Sequence, residues 1–175
     1  VLGAGGSAGR LAVQSARALG ASLVVGAARG KDSSQAADFG ADAVVDLADE
    51  QAIDAGLAAA APGGYDVIVD FLWGGVAPHA MNHAKRGARY IQVGNAAGAA
   101  STIPGLVLRN KLLTLVGHSL FATPAELRRS AYVQLAGHAI DGKFTMDLEQ
   151  TRLEDISGTW EHLKAGAARK LVVTP

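Results

Sequence analysis

Gly3-Ala4-Gly5-Gly6-Ser7-Ala8-Gly9 packs four glycines into seven residues, directly after the apolar pair Val1-Leu2 and directly before a stretch with helical periodicity. Glycine lets a chain turn sharply, lets a ligand approach bare backbone, and lets a helix pack closely on a strand. A turn of this kind that opens a helix also points unpaired N–H groups and the positive end of the helix dipole outward, which suits phosphate. Two registers satisfy the pattern of a dinucleotide-binding turn. In one, Gly3, Gly6 and Gly9 follow a G-x-x-G-x-x-G spacing; in the other, Ala4 replaces the first glycine of G-x-G-x-x-G. In both, Gly6 takes the close-approach position, Gly9 the helix-packing position, and the N–H groups of Ser7 and Ala8 face the phosphates. A P-loop does not fit, because Gly30-Lys31 is followed by Asp32 and comes after the second strand.

The end of the second strand decides which dinucleotide is favoured. A carboxylate there binds a ribose 2′-hydroxyl, whereas a cation accommodates a 2′-phosphate. The segment Val25-Gly26-Ala27-Ala28-Arg29-Gly30-Lys31 carries no carboxylate before Asp32. The expected cofactor is therefore NADP(H) rather than NAD(H), with Ala28 bordering the site, Arg29 forking onto the phosphate and Lys31 adding a point charge. A Tyr-x-x-x-Lys acid/base pair is absent: Tyr65, Tyr90 and Tyr132 are followed four residues on by Val69, Gly94 and Ala136.

Other reactive constellations are weaker. His79 and His83 share a helix face, but the Glu that a zinc protease places after its first His is replaced by Ala80, and no metal site is expected. Asp66 and Asp70 flank a strand, where carboxylates ordinarily satisfy backbone or helix-terminal donors. Glu161-His162 and Arg128-Arg129 read as solvated helix faces. The absence of cysteine excludes disulfides, thiolate catalysis and Cys-based zinc sites in these 175 residues, and fits the cytoplasm. Sixteen Lys and Arg balance sixteen Asp and Glu, so nothing favours a nucleic-acid partner. No apolar run approaches the roughly 20 residues of a membrane-spanning helix.

The elements that must position the glycine turn alternate regularly. Strands are expected at Val1-Leu2, Leu23–Ala27, Ala43–Val45, Tyr65–Phe71, Arg89–Val93 and Leu112–Val116, with helices at 8–19, 33–39, 50–60, 76–86 and 124–140. This rhythm argues an α/β Rossmann fold, a doubly wound parallel sheet of six strands in the order 3-2-1-4-5-6 with helices on both faces. Residues 1–142 would form this nucleotide-binding domain. Residues 143–175 read as a C-terminal tail: an extended piece at 144–148, a helix at 153–164 and a final strand Lys170–Thr174. The first strand has only two residues before the glycine turn, so an N-terminal portion is expected to be missing, and the final strand is expected to find its neighbour there.

With Val69-Asp70-Phe71-Leu72-Trp73-Gly74-Gly75, Gln92-Val93-Gly94-Asn95-Ala96-Ala97-Gly98, Leu112-Leu113-Thr114-Leu115-Val116-Gly117-His118-Ser119-Leu120 and the closing Arg169-Lys170-Leu171-Val172-Val173-Thr174-Pro175 also in view, the chain resembles the cofactor-binding half of medium-chain dehydrogenase/reductases, most of all the zinc-free quinone oxidoreductase branch. That resemblance implies that Leu72 packs near the nicotinamide ribose, that Val93, Gly94 and Asn95 border the nicotinamide, and that His118 and Ser119 lie close by. Trp73 and His118 depart from the family's pattern. It further implies hydride transfer to a small-molecule substrate, a quinone, enone or related carbonyl compound, completed by an N-terminal catalytic domain, so that this chain alone would not turn over; no catalytic residue is named. A homodimer through the edge strand 112–116 is implied as well. The alternatives are a zinc-dependent alcohol dehydrogenase whose ligands lie upstream, and a non-catalytic nucleotide-sensing module.

Overall fold

The computed structural model describes residues 1–30, 36–166 and 169–175. They divide into two compact units, Val1–Phe144 and Thr145–Pro175.

In the first unit, helix α1 (Ser7–Ala18) starts where Gly6 leaves the turn in an extended conformation, and ends at Gly20, whose φ of +91° admits a left-handed exit. Its inner face carries Gly9, Arg10, Val13 and Gln14. Strand β1 (Val25–Ala28) is buried along its whole length and pairs in parallel with β2 (Ala43–Asp46). A 3-10 turn at Glu50–Ala52, capped by the Asp49 side chain accepting from Gln51 N–H, leads into α2 (Ile53–Ala60). Then come β3 (Tyr65–Asp70), α3 (Val76–Asn82), β4 (Ala84–Gln92), α4 (Gly105–Lys111), β5 (Thr114–Gly117) and α5 (Ala125–Ile140). Strands β3, β4 and β5 form a parallel triple in that order. The result is an α/β arrangement of parallel strands and helices.

The named strands thus form a pair and a triple, not one six-stranded ladder. The expected first strand is reduced to a single position: Leu2 makes parallel bridges to Ala27 on one side and to Asp70 on the other. Leu2 N–H donates to Val69 C=O at 2.8 Å, and Gly3 N–H already turns to Ala27 C=O at 2.8 Å. Gly3, at φ +85°, takes the chain out of the strand immediately after Leu2. Helix α3 also stops earlier than the expected 86. His83 C=O accepts from Tyr65 N–H at 3.0 Å, which draws the following residues into β4 at Ala84, with a register irregularity before Val67.

The main core gathers Leu2, Ala27, Leu47, Ile68, Met81 and Tyr90 between the strands and the α2 and α3 helices; a smaller one joins Ala4, Val13, Val24 and Ala36. Fully burying the Leu, Ile and Met side chains among these contributes about 1.5–3 kcal/mol each. Burial is uneven, however: α5 and β5 have no buried residue.

The second unit holds β6 (Leu148–Arg152), a 3-10 turn at Leu153–Asp155, α6 (Ile156–Lys164) and β7 (Lys170–Thr174). Here the final strand has a neighbour within the chain: β6 and β7 pair in parallel from Leu148↔Lys170 to Arg152↔Thr174. The extended piece lies at 148–152 instead of 144–148, and its five residues match β7 in length and register. The Thr151 and Thr159 hydroxyls meet at 2.9 Å and tie strand to helix. Among the described residues no helix is long and apolar enough to cross a membrane.

Candidate functional site

The glycine turn sits at the carboxyl ends of the parallel strands, and three of its four glycines have different reasons to be glycine. Gly3 has φ +85°, a conformation that L side chains rarely adopt. A Cβ on Gly9 would lie 2.0 Å from Gly3 C=O, so α1 can only rest on the turn if this residue is bare. At Gly6 a Cβ would meet nothing nearer than Gly3 C=O at 3.6 Å. Internal packing therefore leaves Gly6 unconstrained, and it is exposed, as is Ala8. Of the two registers, Gly3-x-x-Gly6-x-x-Gly9 is the one in which geometry demands the first glycine; Ala4 is fully buried in the smaller core. Ser7, Ala8 and Gly9 open α1 and have no intrahelical acceptor for their N–H groups. Beneath the turn, the buried Arg10 donates from Nε to Gly5 C=O at 2.8 Å and stacks its guanidinium 5.0 Å from the centre of the Phe39 ring.

A cleft of about 410 Å³ opens in front of the turn, lined by Gly3, Gly6, Ser7, Ala8 and Gly9 on one side and by Ala28 and the exposed Arg29 beyond β1. The loop that carries Arg29 is anchored by a residue that the sequence did not single out. Asp46, at the end of β2, accepts from Gly30 N–H at 3.0 Å and from Ala48 N–H at 2.9 Å. These backbone donors, Gly30 first, hold its carboxyl below the ordinary value. Lys31 lies outside the described residues.

The opposite wall of the cleft consists of Phe71, Leu72, Ala96 and Ala97, from the segments that follow β3 and β4. These segments are stitched together: Ala96 N–H donates to Phe71 C=O at 3.2 Å, Ala97 N–H to Leu72 C=O at 2.8 Å, and Trp73 bridges Gly98. Val93 and Gly94 stand behind the wall, their N–H groups donating to Asp70 C=O at 2.8 and 3.1 Å, and Asn95 is exposed just before it. A Cβ on Gly94 would come 2.7 Å from Phe71 C=O, so the contact between the two segments already requires this glycine. Asp70 is completely buried beneath this wall, its carboxyl oxygens accepting from Leu72 N–H, Trp73 N–H and the Tyr90 hydroxyl.

The structure does not bring His118 and Ser119 to this cleft. His118 lines a separate groove of about 440 Å³ with Ala18 and Leu19 of α1 and Leu127, Tyr132 and His138 of α5. Ser119 starts the exposed turn after it, its C=O accepting from the Thr123 hydroxyl at 2.9 Å. His79 and His83 do share a face, but both turn to one carboxylate: His79 Nδ1 lies 2.7 Å from Asp54 Oδ2 and His83 Nε2 lies 2.9 Å from Asp54 Oδ1. Desolvation pushes the Asp54 carboxyl up, yet the two imidazoles outweigh it and hold the group below its ordinary value. Sequence spacing revealed the histidine pair; the carboxylate 25 residues away gave no local signal.

This combination of a glycine turn, an open cleft at the strand ends and parallel α/β layers places the chain in a recognisable class. Residues 8–136 match the zinc-binding dehydrogenase family, and the chain belongs to it, within the medium-chain dehydrogenase/reductases. Among solved structures it is similar to a protein from Sinorhizobium meliloti 1021 assigned as an alcohol dehydrogenase without proof of activity (25% identity, TM-score 0.84), covering 100% of this chain and 47% of that one. A mycobacterial quinone oxidoreductase (20% identity, TM-score 0.83) matches over 99% of this chain and 55% of its own. CurA from Vibrio vulnificus, in complex with NADPH (21% identity, TM-score 0.79), covers the same shares, 99% and 55%. The chain thus spans about half the length of the solved structures it matches. No curated protein sequence matches it. Among the described residues no three His, Asp or Glu side chains are placed to hold a metal, and the chain has no Cys, so the zinc of the family's description finds no ligand set here.

Proposed function

We propose that this chain is the NADP(H)-binding part of a two-domain oxidoreductase that passes a hydride to a quinone, enone or related carbonyl compound. The observation that carries the reading is the cleft at the glycine turn: Gly6 is bare although nothing among the described residues crowds it, and bare backbone there makes sense as the approach of a pyrophosphate. The N–H groups of Ser7, Ala8 and Gly9 would donate to that pyrophosphate. Ala28 would border the adenosine ribose, Arg29 would fork onto a 2′-phosphate with Lys31 adding charge, and Leu72, Val93, Gly94 and Asn95 would receive the nicotinamide half. His118 and Ser119 belong to this reading only if their loop moves towards the cleft. A bound nicotinamide supplies the hydride; the chain's own residues orient the ring and exclude water from it.

The double bridge at Leu2 supports reading the pair and the triple as halves of one sheet in the order 3-2-1-4-5-6. In the same reading, residues 1–142 form the nucleotide domain, residues 143–175 pack on an N-terminal catalytic domain, and turnover requires that domain. Among the described residues strand β5 pairs on one side only, with Leu115 and Val116 exposed, which suits edge-to-edge pairing with a second copy. The NADPH named with the Vibrio vulnificus structure favours the phosphorylated cofactor. The alcohol dehydrogenase likeness, at 25% identity, keeps a zinc alcohol dehydrogenase as the second reading. Because β7 already has a partner in β6, the final strand does not distinguish this reading from a nucleotide-sensing module.

Calorimetric titration of the chain with NADPH and NADH side by side tests the assignment. Tighter binding of NADPH is the expected result. Equal affinities would remove Arg29 from the site, and binding of neither would overturn the dinucleotide reading of this chain.

A further inference from the structure

Asp70 is a buried acidic residue that no step of the proposed chemistry uses. It is completely inaccessible, and among the described residues its carboxyl group accepts hydrogen bonds from the far wall of the cleft and from Tyr90. Oδ1 accepts from Leu72 N–H at 2.7 Å and from Trp73 N–H at 3.0 Å; Oδ2 accepts from Trp73 N–H at 3.1 Å and from the Tyr90 hydroxyl at 2.6 Å. Tyr90 is itself fully buried in β4, and burial together with the adjoining Asp70 raises its phenol well above the ordinary value, so the proton stays on the oxygen that donates. The Tyr90 ring meets the Trp73 ring edge-on, with centroids 6.2 Å apart. Trp73 adopts φ +56°, a left-handed conformation that a bulky side chain avoids unless its surroundings impose it. The N–H of this same residue is held by both oxygens of the Asp70 carboxyl. In that conformation Trp73 reaches the Gly98 bridge, and the bridge holds the two segments that put Leu72, Ala96 and Ala97 on the cleft.

We infer that Asp70, with Tyr90 as its partner, is a positioning residue: it fixes the Leu72–Trp73 turn and so sets the wall against which the nicotinamide half of the dinucleotide packs. The inference rests on the dinucleotide reading above and adds to it a division of labour. The glycine turn would hold the phosphates, while the Asp70 pin would set only the geometry of the opposite end.

The test uses two probes, NADPH and 2′-phosphoadenosine 5′-diphosphoribose, which keeps the phosphates and lacks the nicotinamide. Asp70→Asn preserves volume and one acceptor but turns an NH₂ group towards Tyr90 or Trp73, which loosens the pin without leaving a hole. Expected is a loss of about tenfold in NADPH affinity, with the nicotinamide-free probe changed by less than about twofold. Tyr90→Phe removes one hydroxyl from a ring that stays packed, and is expected to shift the ratio of the two affinities in the same direction by about threefold. It carries the test if Asp70→Asn does not fold. A spectroscopic readout accompanies both: the emission of bound NADPH, which reports the surroundings of the nicotinamide, should differ between wild type and variants. Equal losses for both probes, or an unchanged NADPH affinity, would overturn the pin while leaving the dinucleotide reading in place. A wild-type chain that binds neither probe would overturn the reading and the pin with it.

Discussion

Met81 and Leu115 are both large apolar residues in the first unit, and they meet opposite fates. Met81, on α3, is completely buried among the strands and helices of the main core, whereas Leu115, on β5, is 42% exposed. The contrast extends to whole elements. Helix α1 buries Gly9, Arg10, Val13 and Gln14, but α5 buries nothing along sixteen residues and leaves Leu127, Tyr132 and Val133 open. Most full burial therefore lies in residues up to β4; beyond it Ile103, Val107, Leu108 and Leu113 still pack against the main core, while β5 and α5 leave apolar side chains open. Exposed apolar surface of this kind marks a face suited to contact with another body.

The contrast breaks first at the core. Met81→Ala should cost about 2–5 kcal/mol, seen as a lower urea midpoint at constant slope; a cost below about 1 kcal/mol would mean that the core is looser than its burial implies. Gly6→Val comes next and separates binding from folding. Its extended φ and ψ of −76° and 161° suit a β-branched residue, so stability should fall by at most about 1 kcal/mol, while NADPH affinity drops at least tenfold, or about 1.4 kcal/mol. A variant that binds as well as wild type would remove the pyrophosphate from this turn. Arg29→Ala should weaken NADPH by about tenfold and NADH hardly at all, measured by parallel titrations; equal losses would make Arg29 a bystander.

The loop bearing Arg29 should also respond to acid. Backbone donors hold the Asp46 carboxyl below its unfolded value, so its contribution is fully present above the ordinary carboxyl range, near about 3.9, and fades as pH falls through the lower folded value. Amide exchange at Gly30 and Ala48, corrected for intrinsic pH dependence, should rise only below that range. The smallest effect is expected at the bare face: Leu115→Lys should change the stability of the single chain by no more than about 0.5 kcal/mol. Sedimentation of the wild type beside this variant tells whether the β5 edge joins two copies.

What could be read from residues alone follows from the range of the interactions involved. Helix α1 and strands β3 and β7 were legible because their signals are local: a glycine stop at Gly20, β-branched runs at 65–70 and 170–174. The glycine turn was legible too, although only the structure distinguishes Gly3 from Ala4 as the first glycine, through φ and burial. Pairing was less legible. Nothing local in Leu148–Arg152 announces that it lies beside Lys170–Thr174, and Leu2 keeps its place between two strands through bridges 25 and 68 residues distant, to Ala27 and Asp70. The early end of α3 depends on a hydrogen bond from Tyr65 to His83, again a distant partner. Asp46 was missed for the same reason, since a carboxylate at a strand end is common; Asp70 was expected to satisfy backbone donors and does so at Leu72 and Trp73, but its Tyr90 partner, 20 residues away, gave no local signal.

The edge-on contact between Trp73 and Tyr90 gives the protein an optical reporter. The chain has two tryptophans, one in each unit, and Trp160 is 55% exposed in the second. Replacing Trp160 with Phe would leave Trp73 as the single indole emitter, next in sequence to Leu72 of the cleft wall, and indole emission overlaps the absorption band of a reduced nicotinamide. Quenching of Trp73 with matching sensitised emission would then follow filling of the cleft in real time, without a label.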